Sequence, residues 1–267
     1  MKYFTGCTAL ITGVTSGIGR EFALQLAPYA QRLILVARRT DRLESLQRDL
    51  IQINPQLIVH CQSVDLADET QIDTMVQWLR TSDLKINVLI NNAGLGDHGD
   101  FAGADWGKLK SIIGVNITAL TRLTHSVIPM LREAPRAAII NVSSIAGFLP
   151  LPHTAVYAAT KAYVTSLSEA LRAELRDTGI SVTTVCPGPV DTEFGDVAER
   201  EGSRHTAPPA VLKISAAQVT HEALIATAND RARVAPGLLT TIAAIIICAL
   251  PMFVIRFLIN RVASENQ

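Results

Sequence analysis

Apolar, β-leaning runs alternating with helical patterns predict an α/β protein built on a doubly wound parallel sheet. Three observations carry that expectation. Short runs such as Arg32–Ala37 and Ala137–Val142 recur along the chain, each followed by a longer stretch of helical periodicity. The turn Thr12-Gly13-Val14-Thr15-Ser16-Gly17-Ile18-Gly19 joins the first strand to the first helix. The length, 267 residues, suits one large core better than two small ones.

Composition excludes several classes of function. Lys and Arg total 24 against 24 Asp and Glu, so neither a nucleic-acid surface nor a solvating acidic tail is indicated. Cys7, Cys61, Cys186 and Cys248 are scattered without disulfide or metal spacing, and the six histidines also lack ligand spacing. No bound metal is expected. Only Lys2 precedes the first strand-like segment, which gives no secretory signal and an expectation of a cytoplasmic protein.

Each element follows in order. Cys7–Ile11 is the first strand, and the helix after the glycine turn runs from Arg20 to Ala27, before Pro28. In this setting glycines permit a tight turn, and the helix N-terminus offers free N–H groups to a pyrophosphate. Arg32–Ala37 is the second strand and runs into Arg38 and Arg39, ahead of a helix from Asp41 to Ile53. An acidic residue there would accept from a ribose 2′-hydroxyl, whereas two guanidinium groups suit a 2′-phosphate and point to NADP(H) over NAD(H). They could instead open a solvated loop.

Leu57–Val64 is the third strand, ending at Asp65 and Leu66. The Asp65 carboxylate either meets an adenine amino group or caps the helix from Asp68 to Arg80. Ile86–Ile90 is the fourth strand and leads into Asn91-Asn92-Ala93-Gly94. One helix is expected from Asp105 to Leu131, with Asn116 in the otherwise apolar stretch Ile112–Ile117. A buried Asn must find partners, so its presence there implies use. Ser181–Cys186 forms the sixth strand, broken by Pro187-Gly188-Pro189.

Between these last strands lies the chemistry. Tyr157 and Lys161 are four residues apart in a helix expected to reach Arg176, which puts both side chains on one face. A neighbouring ammonium favours phenolate, so the expectation is a Tyr pKa drawn below its usual value near 10. Ser144 lies thirteen residues earlier, at the carboxyl end of the strand Ala137–Val142, where a hydroxyl can face a ligand.

Together these motifs resemble the compact short-chain dehydrogenase/reductases over residues from about 5 to 192, in that family's order and spacing. The resemblance implies a Rossmann fold and a tetrad. Tyr157 is the implied general acid/base, and Lys161 lowers its pKa and holds the nicotinamide ribose. Ser144 binds the substrate oxygen, and Asn116 keeps a water-mediated proton path to Lys161. The implied cofactor contacts are Gly13, Thr15, Ser16, Gly17, Ile18, Gly19, Arg38, Arg39, Asp65, Leu66, Asn92, Ala93, Gly94, Tyr157, Lys161, Pro187, Gly188, Val190 and Thr192, the last at the nicotinamide carboxamide. A homodimer or homotetramer through the helices around Asp105–Leu131 and Tyr157–Arg176 is also implied. The sequence departs from the family pattern at Ser16, basic in some NADP-using members, at Thr160, commonly Ser, and at Ala119, often Gly.

The resulting expectation is an NADP(H)-linked reductase or alcohol dehydrogenase acting on a carbonyl or secondary alcohol. The alternatives are a 3-oxoacyl thioester reductase and a non-catalytic NADPH-binding sensor. Leu95–Phe101, Phe148–His153 and a lid from Glu193 to Ile214 are expected to form the substrate mouth, and Leu95, Phe148, Leu149, Leu151 and Phe194 give it an apolar cast. The catalytic domain is taken as residues 1–233 and an apolar tail as 234–267. Ser215 is expected to cap a helix from Ala216 to Ala228, and Arg231–Val234 to add a short strand. From Val234 to Ile255 no residue is charged, but Pro236 and Pro251 divide the run into a helix over Leu238–Leu250 and another from Met252. In the second helix Arg256, Asn260 and Ser264 share one side. That pattern reads as an amphipathic surface helix, covered by protein ahead of lipid.

Overall fold

The computed structural model describes residues 1–200 and 213–265. Among them, seven strands form one parallel sheet in the order β3-β2-β1-β4-β5-β6-β7. These are β1 (Thr8–Thr12), β2 (Arg32–Ala37), β3 (Ile58–Ser63), β4 (Val88–Asn91), β5 (Ala137–Val142), β6 (Ile180–Val185) and β7 (Arg233–Val234). The inner strands read as unbroken apolar runs because helices cover both faces. Side chains alternate between the two sides. Ala9 and Ile11 of β1 join a core with α1 (Gly17–Leu26), α2 (Thr40–Ile53) and α8 (Ala216–Ala228). Leu10 faces the opposite core, with α3 (Glu69–Thr81) and α5 (Leu120–Leu131).

The chain winds outward from β1 to β3, then returns to place β4 on the other side of β1. The crevice above the carboxyl ends of β1 and β4 is therefore the switch point where α/β sheets bind ligands. The glycine turn leaves β1 there, and Asn91 to Gly94 leave β4 beside it.

Two expectations are corrected. Asp65 does not cap α3. Its Oδ1 accepts from Ala67 N at 3.0 Å, while Asp68 is the cap and accepts from the amides of Thr70 and Gln71. Leu66 and Ala67 separate the two carboxylates, and only Asp68 sits where the free amides of the first turn point. The single helix expected over Asp105–Leu131 is α4 (Trp106–Ile113), a π-helical turn over Gly114–Ala119, and α5. The widened turn carries Asn116, and such turns recur at functional sites.

Ser215 caps α8 by accepting from Gln218 N at 3.1 Å, as expected. The tail forms α9 (Leu238–Ala249) and α10 (Met252–Glu265), separated by Pro251. Thr240, Ala244 and Ile255 are buried, and Thr240 lies against Gly188. Among the described residues no helix is long and apolar enough to cross a membrane. The polar side expected from Asn260 and Ser264 lies outside the described side chains.

Candidate active site

The glycine turn is held against the β4 loop. Thr12 Oγ1 accepts from the amides of Asn92 and Ala93 at 3.0 Å each, and Asn92 Nδ2 donates to the carbonyls of Thr12 and Gly13 at 2.9 and 3.1 Å. A Cβ on Gly19 would lie 2.2 Å from the Gly13 carbonyl oxygen, so only glycine fits that approach. Gly13 and Gly17 have φ of +71° and +53°, in the left-handed region that glycine tolerates. The result is a side-chain-free cradle at the start of the ten-residue α1, with its amides facing the crevice. Such a cradle fits the pyrophosphate of a dinucleotide. The Leu66 side chain is buried in the core beneath α3.

Across the crevice, the end of β5 and α6 (Ala155–Glu174) supply Ser144, Tyr157 and Lys161, and the π-helical turn adds Asn116. Ser143 is buried behind the site, its hydroxyl donating to Lys161 O at 2.8 Å, whereas Ser144 is near enough to Tyr157 to draw its phenol pKa down. That arrangement favours Ser144 over its neighbour, in agreement with the spacing. Ser144 Oγ also accepts from Ala146 N at 3.1 Å and donates to Pro187 O at 3.4 Å, so both of its sides are oriented. The Lys161 ammonium lies 5.7 Å from the Tyr157 ring centre and donates to Val142 O at 2.9 Å. The Asn116 side chain is fully engaged. It accepts from Leu95 N at 2.8 Å and donates to Leu95 O at 3.0 Å and to Thr160 Oγ1 at 2.9 Å. Thr160 in turn donates to Tyr157 O at 2.7 Å, so the family's commoner Ser is replaced by a residue that keeps the hydroxyl. Gly94 has both Lys161 Nζ and Asn116 Oδ1 at its open side, 3.4 and 3.5 Å from where a Cβ would sit.

Electrostatics reverse one expectation. Desolvation pushes the Tyr157 phenol up to about 12, with only a partial pull downward from its hydrogen bond to Ser144. Burial also brings Lys161 down to about 8. The spacing argument counted the attraction between the two groups but not the cost of taking both from water, and here desolvation wins.

A family model described as short chain dehydrogenase matches residues 7–202. The chain is a short-chain dehydrogenase. Sulfoacetaldehyde reductase 2 of Chromohalobacter salexigens is 39% identical over 190 residues, covering 69% of this chain and 73% of that one. The human very-long-chain 3-oxoacyl-CoA reductase is 31% identical over 197 residues, 71% of this chain and 61% of that one. Among solved structures, a short-chain dehydrogenase from Sphingobium yanoikuyae in complex with NADPH superposes with a TM-score of 0.77 at 32% identity, covering 87% and 88% of the two chains. As a member of this oxidoreductase family, the protein binds a nicotinamide cofactor, and the glycine cradle is where its residues fit one.

In this dehydrogenase Arg39 and Thr192 reach the glycine turn. Arg39 Nη2 donates to Thr15 Oγ1 at 3.1 Å, which joins the second strand's basic pair to the glycine turn, while Arg38 is exposed beside it. Gly17 lies beneath Thr192, whose Cγ2 would be 2.9 Å from an added Cβ. Ile214 N donates to Pro189 O at 3.1 Å and closes the base of the segment between them, whose residues 201–212 lie outside the described ones. Its helix α7 (Phe194–Ala198) places the Phe194 ring 5.5 Å from that of Tyr157. Asp97, Phe101, Leu109, His153, Val156 and Arg200 line the hollow beside Tyr157. Phe148, expected at this mouth, instead lies under the Arg233 guanidinium at 5.1 Å.

Sequence reasoning missed the ion pairs that pin α7. At one end Asp97, only 6% exposed, accepts from Arg200 Nε at 2.9 Å and pairs with Lys108 Nζ at 3.1 Å. At the other, Glu193 pairs with Arg42. Arg200 is 103 residues from Asp97 and Glu193 is 151 from Arg42, and no local signal joins either pair.

Proposed function

We propose that this short-chain dehydrogenase is an NADP(H)-linked oxidoreductase that exchanges hydride with a carbonyl or secondary alcohol of a lipophilic substrate, with Tyr157 as general acid/base. The observation that carries this reading is the convergence of Tyr157, Ser144 and Lys161 at the carboxyl edge of the sheet, facing a side-chain-free cradle. With its pyrophosphate held by the glycine cradle, a bound dinucleotide would supply the hydride in reduction and accept it in oxidation. In reduction, Tyr157 Oη gives its proton to the substrate oxygen while Ser144 Oγ donates a hydrogen bond to the same atom. Lys161 stabilises the phenolate left behind, and Asn116 sets the position of Leu95 and Thr160 around it. In oxidation the same groups act in reverse.

Arg39, hydrogen-bonded to the glycine turn, and Arg38 beside it supply the charge that a 2′-phosphate requires. Phe101, Leu109 and Val156 next to Tyr157 support an apolar substrate. A second reading, reduction of 3-oxoacyl thioesters, is favoured by the relatives that carry that name and by the apolar tail. The deciding variant is Tyr157→Phe. Turnover of generic ketones with NADPH should fall by roughly 100-fold or more, while the NADPH Kd shifts by less than about two-fold. Turnover that survives the substitution would sink the mechanism.

A further inference from the structure

Glu193 immediately follows Thr192 and precedes α7. Its two carboxylate oxygens accept from Arg42 Nη1 at 2.9 and 3.0 Å, and Arg39 Nη1 lies 3.5 Å away. Arg39 reaches Thr15 of the glycine turn with its other terminal nitrogen, so the guanidinium nearest the cradle is already shared with a carboxylate. The Arg39, Arg42 and Glu193 side chains are 42%, 41% and 50% exposed, so these pairs add little to stability and exchange readily. Arg42, then Arg39, holds the Glu193 carboxyl below the usual range, so it is anionic wherever the cofactor is used. A phosphomonoester brings about −1.5 to −2 charges and three acceptor oxygens, more than one carboxylate offers a pair of guanidinium groups.

From this geometry, and resting on the NADP(H) reading above, we infer that Glu193 and the cofactor's 2′-phosphate compete for Arg39 and Arg42. Glu193 is then a specificity-determining residue that selectively weakens the phosphorylated cofactor, and Arg42 is a phosphate ligand one helical turn beyond the Arg38–Arg39 pair. A cofactor lacking the phosphate meets the pyrophosphate cradle alone and leaves the Glu193 pairs in place.

The experiment is fluorescence titration of the full chain with NADPH, NADH and 2′,5′-ADP, on wild type, Glu193→Gln, Arg39→Ala/Arg42→Ala and the triple variant. Glu193→Gln should tighten NADPH and 2′,5′-ADP by about three-fold and leave NADH nearly unchanged. That gain should vanish in the Arg39→Ala/Arg42→Ala background, since the cycle isolates the shared partner. Equal tightening of NADPH and NADH would overturn the competition, because Glu193 would then act on the cradle as a whole. No change in either would overturn it as well. If wild type binds NADPH and NADH alike and loss of both arginines alters neither, the cofactor reading itself fails and the competition goes with it.

Discussion

Tyr157 and Lys161 stack on one face of α6, yet burial moves each pKa against the direction that its neighbour alone would favour. The phenol lies near 12 and the ammonium near 8, both because burial penalises charge. For reduction the phenol must carry its proton and the lysine its charge. The first condition holds throughout the physiological range, so the second sets the limit. Lys161 is charged below about 8 and loses its proton above it. The value of kcat/KM for NADPH should therefore stay level up to about pH 7.5 and fall about ten-fold per unit above 8, with Lys161→Met abolishing that limb along with most activity. A limb centred near the usual lysine value of 10.5 would show that the charge survives burial. The four-residue spacing made the pair legible, but its sign was not, because the spacing cannot report how much water each group loses.

At the scale of elements, legibility followed the range of the forces involved. Arg32–Ala37 and Ala137–Val142 were bounded correctly, since apolar runs and their flanking turns are local signals. The π turn over Gly114–Ala119 was not, because it keeps a helix's hydropathy pattern and changes only its hydrogen-bond register. The pinning of α7 by Asp97 and Arg200 also escaped, since it depends on loops brought together by the finished sheet. The glycine turn was legible as a motif, and its packing now gives it a quantitative test. Gly19→Ala would drive a Cβ to 2.2 Å from a backbone oxygen and 2.4 Å from Asn92 Nδ2. Separating α1 from the β4 loop should cost about 1–3 kcal/mol of stability and weaken NADPH by at least about ten-fold. Gly103→Ala, with nothing within 4 Å of the new atom, serves as the control and should change neither Tm nor Kd. Normal binding in Gly19→Ala would mean that the turn yields more easily than its contacts imply.

For the whole molecule, the outward side of the tail remains to be accounted for. Thr240, Ala244 and Ile255 anchor α9 and α10 on the catalytic unit, while Leu238, Phe253 and Phe257 are 76%, 73% and 66% exposed. Ile245 and Ile246 extend that apolar surface. Twelve and fourteen residues make helices of about 18 and 21 Å, short of the roughly 30 Å of a bilayer's hydrocarbon, and Pro251 prevents their joining into one. Exposed Arg256 lies between the two phenylalanines, which suits the rim of a protein contact, where an apolar centre is edged by charge. We therefore expect a second protein surface, first of all another copy of this chain, to cover these helices. Sedimentation of wild type against Ile245→Gln/Phe253→Gln should show a lower assembly state in the variant at unchanged ketone turnover per chain, with neither protein floating on phospholipid vesicles. Flotation of wild type that the substitutions abolish, with assembly unaltered, would assign the surface to lipid instead.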